Sequence, residues 1–328
     1  MLDDLIVQLF DQQPRTEISV YMLLTGKKTQ SVLFAALQHD QLKWLQLYPT
    51  LSRSDYQAAI KRLEQAQVLK RDGNNLSLRN LDAQQAAAKR LALPAHYAPW
   101  MDLAPFWLKL QLAIQSLSEY TYHNRFYRPV TPDWPSQQAV RQWWVAIKPA
   151  AAIQELTALF AALPQAQSDL LSQQLIGHDY VGAGGDDSLA GHMQRLDALA
   201  QLVVALDANR LGSWARLWGG RKPLGTQSQY QALALAQAGM PRPQIAQRLR
   251  LKPSTVNEHL LGAALFGAKL PLDTLYSPAM MAAFGALPKQ RFNDFHELLA
   301  QVPGSDFFLV RLYEILVIQG RWPDGSGE

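Results

Sequence analysis

Residues 229–265 read QYQALALAQAGMPRPQIAQRLRLKPSTVNEHLLGAAL, and their punctuation decides how the rest of the chain is read. Leu233, Leu235 and Ala236 give a first helix an apolar face, and Gly239 with Pro241 ends it. Glycine takes the left-handed conformation of a helix C-cap at little cost, and proline has no amide to donate to a continuing helix. A second helix over 243–249 carries Ile245, Ala246 and Leu249 at helical spacing. A third opens at Pro253, a favourable first helical position, with Val256 and Leu260 four apart. Leu251 sits in the short connection as an apolar plug, and Ala246 lets two helices approach closely. This is the pattern of a helix-turn-helix.

Charge points the same way. No acidic residue occurs between Asp207 and Glu258, while Arg210, Arg216, Arg221, Lys222, Arg242, Arg248, Arg250 and Lys252 fall in that interval. A one-signed field around a motif shaped for the major groove suits a polyphosphate backbone. Arg242, Arg248, Arg250 and Lys252 are the expected phosphate contacts. Ser254, Thr255, Asn257 and Glu258, at the start of the third helix, are the candidates for base edges. Neutralising about four phosphates predicts a log–log salt slope near −3.6 on duplex DNA.

The run IAQRLRLKPSTVNEHL, residues 245–260, resembles the helix-turn-helix of response-regulator output domains. It is more similar to the helicase helix-turn-helix module. That module ends some RecQ-type helicases and occurs in YpbB-like proteins of Gram-positive bacteria, often encoded beside such a helicase. Glu258 before His259, and the continuation GAKLPLDTL at 267–275, favour the second relative; Lys252 stands where a capping Ser or Thr is usual. EISVYMLLTGKKTQSV (17–32) with PTLSRSDYQAAI (49–60) resembles the N-terminal region of YpbB-like proteins, and QSLSEYTYHNRFYRPVTPDW (115–134) their middle part. The resemblance implies a DNA-binding accessory protein with a RecQ-type helicase as its partner.

Composition sets the class. With 328 residues, 48% hydrophobic and 18% charged, the chain can bury a sizeable core. Ala-, Leu- and Gln-rich segments predict an all-α, mostly helical fold. The expected organisation is an N-terminal unit at 1–92, an aromatic-rich helical domain at 93–218 and a helix-turn-helix domain at 219–328. In the first unit Ser52 and Asp55 cap a helix at 53–67, and residues 72–75 (DGNN) turn a small β-hairpin wing. Arg53, Lys61, Arg62, Lys70, Arg71 and Arg79 would line one side of it. The net charge of +4 is mild, and the absence of cysteine excludes disulfides and cysteine nucleophiles. The start MLDDLIVQLF lacks a basic n-region, and no apolar run reaches the ~20 residues of a membrane span. A cytoplasmic location is expected.

The middle of the chain is dense in aromatics, among them Tyr120, Tyr122, Phe126, Tyr127, Trp134, Trp143 and Trp144, interleaved with Arg125, Arg128 and Arg141. Such a run has the makings of a stacking platform for single-stranded bases. Packing is the commoner role of Trp and Tyr at helical spacing, and it is the role expected here. Enzymatic signatures fail one by one. Gly220 and Gly225 bracket a Walker-like gap, but Thr226 stands where its lysine belongs. His296 and Glu297 form half of a zinc-protease motif, with Ala300 in place of the second histidine. Asp186 and Asp187 sit in a glycine-rich loop and read as a solvated turn. The expectation is a non-enzymatic protein without metal or cofactor. Two rivals predict different behaviour. One is an adaptor that docks a helicase through Glu258 and Leu261 without touching DNA; the other is a transcription regulator that binds one operator as a dimer.

Overall fold

A computed structural model describes residues 1–287 and 295–323, with the side chains of Phe295 and His296 outside the described residues. It is 61% helical and 4% strand, the mostly-α class expected. In chain order the helices are α1 (Leu2–Val7), α2 (Glu17–Leu24), α3 (Gln30–Gln38), α4 (Arg53–Gln65), α5 (Asp82–Arg90) and α6 (Leu103–Thr121). They continue as α7 (Trp134–Val145), α8 (Pro149–Ala161), α9 (Gln165–Ser172), α10 (Leu189–Ala208), α11 (Ser213–Trp218) and α12 (Gln227–Gln237). The last are α13 (Arg242–Leu249), α14 (Pro253–Leu265), α15 (Leu272–Leu275), α16 (Pro278–Gly285), α17 (Phe295–Gln301) and α18 (Phe307–Ile318). The expected helix at 292–300 is described only from Phe295, and the C-terminal tail from residue 324 lies outside the described residues.

The chain divides into two compact units, each discontinuous in sequence. One comprises 1–14 and 52–222, the other 15–51 and 223–328. This differs from the three consecutive segments expected, because α3 packs against α14 and α18 and carries its neighbour α2 with it. The break at Lys222–Pro223 follows Gly219 and Gly220.

In the first unit Ser52 caps α4 by accepting from the amide of Asp55, as its spacing predicts. The hairpin pairs Leu69–Asp72 with Asn75–Leu78 in antiparallel register, and Gly73 at φ +57° makes the two-residue turn. Its basic side is thinner than the sequence implied. Arg62 binds Asp3 and Arg71 binds Glu64, leaving Arg53, Lys61, Lys70 and Arg79 as exposed cations. The core gathers around α6, α10 and α11. Trp143, Trp214 and Trp218 are buried, and each indole N–H donates to a backbone carbonyl, those of Ser213, Ala152 and Met101. Two opposite charges hold α11 at its ends. Glu155 accepts from the amides of Ser213 and Trp214, and Lys109 donates to the carbonyls of Leu217 and Trp218. That placement complements the helix dipole.

The second unit is built on α18. Seven apolar residues of α18 are buried, from Phe308 to Leu316, together with Glu314. Beside it Tyr276, Phe284, Tyr313 and Trp322 form an aromatic cluster with ring centroids 4.8–5.9 Å apart. The Arg311 guanidinium lies 3.8 Å from the ring centre of Phe34, which ties α18 to α3.

Candidate nucleic-acid interface

α12, α13 and α14 pack on one another through Ala232, Ala236, Ile245, Ala246, Val256 and Leu260, all buried. The first turn between them ends as the sequence dictates. Gly239, at φ +83°, donates to the carbonyl of Ala236, and Met240 donates to that of Leu235. This pair of bonds closes a helix whose next residue but one, Pro241, cannot extend it. The second turn is less ordinary. Arg250 takes φ +54° and ψ +43°, a left-handed conformation that favours glycine. The amide of Leu251 donates to the carbonyl of Ala246 and fixes that turn.

α14 is not uniformly available. Leu260, Leu261, Gly262, Ala264 and Leu265 are buried, so its C-terminal half belongs to the core. Exposure is confined to its first turns, where Pro253, Ser254 and Glu258 face solvent and Thr255 and Asn257 are half-buried. A recognition helix meets base edges with its N-terminal residues, so this is the half that matters. Lys252 caps the helix with no side-chain hydrogen bond, and the helix dipole therefore opens toward solvent beside a cation.

The four expected phosphate contacts separate into two kinds. Arg248, Arg250 and Lys252 are exposed and make no ion pair or side-chain hydrogen bond among the described residues. Arg242 is 22% exposed, and its guanidinium forms an ion pair with Asp306 at 2.7 Å. It also donates to Oδ1 of Asn257 at 2.9 Å and stacks over Phe308 at 4.2 Å. Its charge is spent inside the protein, pinning the start of α13 to α14 and to the N-terminus of α18. Asn257, a candidate base reader, is thereby half committed. His259 pairs with the hydroxyl of Ser228 on α12, and burial lowers its pKa against the pull of Glu258.

The wider basic interval also divides. Arg210 and Arg221 both pair with Asp207, and Arg221 covers the ring of Trp100. These, with Arg216 and Lys222, belong to the first unit. Leu261, expected at an adaptor's docking surface, is 1% exposed and cannot serve there. Other motifs resolve structurally. Thr226 of the Walker-like stretch forms a reciprocal capping box with Gln229 at the start of α12. Asp186 holds the amide and hydroxyl of Ser188, which caps α10. The half-motif at His296 lies outside the described side chains. Among the described residues no His, Asp and Glu cluster could hold a metal ion, and no helix is long and apolar enough to cross a membrane.

These features define a mostly helical protein with a helix-turn-helix near its C-terminus. Residues 228–313 match the family model described as a helix-turn-helix domain, which spans α12 to α14 and reaches into α18. The match includes Asp306 and Phe308, so the Arg242 network lies inside the domain. Neither curated proteins nor solved structures gave a match. The sequence missed Asp306 and Phe308 as partners of Arg242. No local signal could have found them, since they lie 64 and 66 residues further along the chain.

Proposed function

We propose that the chain is a non-enzymatic DNA-binding protein that rests its C-terminal helix-turn-helix on a duplex and assists a RecQ-type helicase. One observation carries the DNA reading. Three exposed cations without protein partners, Arg248, Arg250 and Lys252, cluster around the open start of α14. Cations that stabilise no internal contact are free to displace condensed counterions from a phosphate backbone. The helicase link rests on the sequence resemblance at 245–275, and the cytoplasmic location on the cysteine-free composition.

Counting free cations changes the expected salt response. Three phosphate contacts give a log–log slope near −2.7, against about −3.6 for four. In this reading Ser254, Thr255 and Glu258 are the candidates for base edges, while Asn257 would have to share its carbonyl oxygen with Arg242. Binding titrations of duplex, forked and single-stranded DNA at several salt concentrations test this. The comparison is between wild type and a variant with Arg248, Arg250 and Lys252 changed to glutamate. Equal duplex affinity in the two would remove the motif from the mechanism. A pull-down with the helicase, repeated after nuclease treatment, separates bridging through DNA from a protein contact.

A further inference from the structure

The first unit carries an open cavity of about 770 Å³ between the end of α6, the loop that follows it and α7. Its walls include Tyr120, Tyr127, Trp144, Arg125, Arg141 and His123, and among the described residues no acidic one lines it. Tyr120 and Trp144 meet edge to face, with ring centres 5.6 Å apart. Arg141 lies over the ring of Trp134, which is itself 60% exposed. Neither Arg125 nor Arg141 has an ion-pair partner among the described residues.

The loop is built rather than loose. Gln115 donates to the carbonyl of Arg128 and accepts from the amide of Val130. The Tyr127 hydroxyl donates to Ser116, and Asn124 donates to the buried Glu119 while accepting from the amide of Phe126. His123, at φ +56°, closes α6 in the left-handed conformation, and the amide of Asn124 donates to the carbonyl of Glu119. On this pinned frame Phe126 is 94% exposed, flanked by two residues of the cavity wall. Folding gains nothing from a phenylalanine in that position. A structured loop that shows π-faces beside unpaired guanidinium groups fits a ligand that is flat and anionic.

We propose that this cavity and its aromatic rim bind single-stranded nucleic acid. An unstacked base enters against Tyr120 and Trp144, a neighbouring base stacks on the exposed Phe126, and the flanking phosphates lie on Arg125 and Arg141. The volume lies within the roughly 300–1,000 Å³ of small-ligand clefts, enough for a nucleotide. Stacking on aromatic faces tolerates any base, so affinity without sequence preference follows. The site lies in the first unit and takes the unpaired strand of a forked substrate.

The test uses the full chain with Arg125→Gln, Phe126→Ala and Arg141→Gln combined, and a fluorescent oligothymidylate read by anisotropy. All three side chains are exposed, so the variant should melt like wild type. Affinity for the oligothymidylate should fall about tenfold or more, with duplex affinity unchanged. Glutamates at Arg248, Arg250 and Lys252 should do the reverse. An abasic strand of equal length, which keeps the phosphates but offers no bases to stack, should bind wild type more weakly than oligothymidylate does. Equal affinity of wild type and triple variant for oligothymidylate, or of wild type for the abasic and base-bearing strands, overturns the proposal.

Discussion

Replacing Arg250 by glycine should strengthen the fold and weaken DNA binding at once. Arg250 sits at φ +54° in the turn between α13 and α14, where a Cβ meets the following carbonyl. That conformation costs a side-chain-bearing residue about 1–2 kcal/mol. Glycine removes the cost but adds freedom to the unfolded chain, which returns about 0.4–1 kcal/mol. The net gain is therefore about 0.8 kcal/mol, within a span of about 0–1.6. It should appear as slower amide exchange in α13 and α14, a readout confined to the second unit. The same change deletes one of three free cations, so the salt slope should shrink by about 0.9, from near −2.7 to near −1.8. Arg250→Ala separates the two effects, because alanine keeps the strain and loses only the charge. It should reproduce the affinity loss without the added protection. Should Arg250→Gly exchange faster than wild type, or keep the full salt slope, the reading of this turn as a strained holder of a phosphate contact is wrong.

Three further outcomes follow from the same geometry. Lys252→Ser supplies the missing cap of α14; it should stabilise the second unit by about 1 kcal/mol while reducing the salt slope by about 0.9, seen by amide exchange and titration respectively. Arg242→Ala removes the ion pair with Asp306 and the bond to Asn257, so it should destabilise the second unit by urea unfolding yet leave the salt slope of the residual binding unchanged. Burial pushes Glu314 up to about 7, against the opposing pull of Arg311. A carboxyl that holds its proton more tightly when folded than when unfolded loses stability as pH rises. Stability of the second unit should therefore fall between about pH 4.5 and 7 relative to Glu314→Gln, which lacks that dependence. His259, whose pKa is lowered, contributes the opposite slope, and the paired comparison cancels it.

Local chemistry explains what was legible in the sequence. Gly239 and Pro241 end α12, Pro253 opens α14, Ser52 caps α4, and the turn after Asp72 closes a hairpin. Each depends on backbone preferences within a few residues, so each survives reading in one dimension. The apolar spacing of Ile245, Ala246, Val256 and Leu260 likewise named the buried faces of the trihelical unit. The aromatic run at 97–144 was only half readable. Trp143 is core, whereas Phe126 and Trp134 are exposed.

By itself, then, the sequence determined the helices, their turns and the presence of a helix-turn-helix, because those follow from short-range sterics and hydrogen bonding. Only the tertiary structure decided which cations are free. Arg242 and Arg248 look alike on paper, yet Asp306 and Phe308 come from a distant segment to claim the first and leave the second in solvent. It also decided that residues 15–51 belong with the C-terminal helices and that the far half of α14 is core. Charge pairing and burial depend on distances in space, and the chain's order does not carry them.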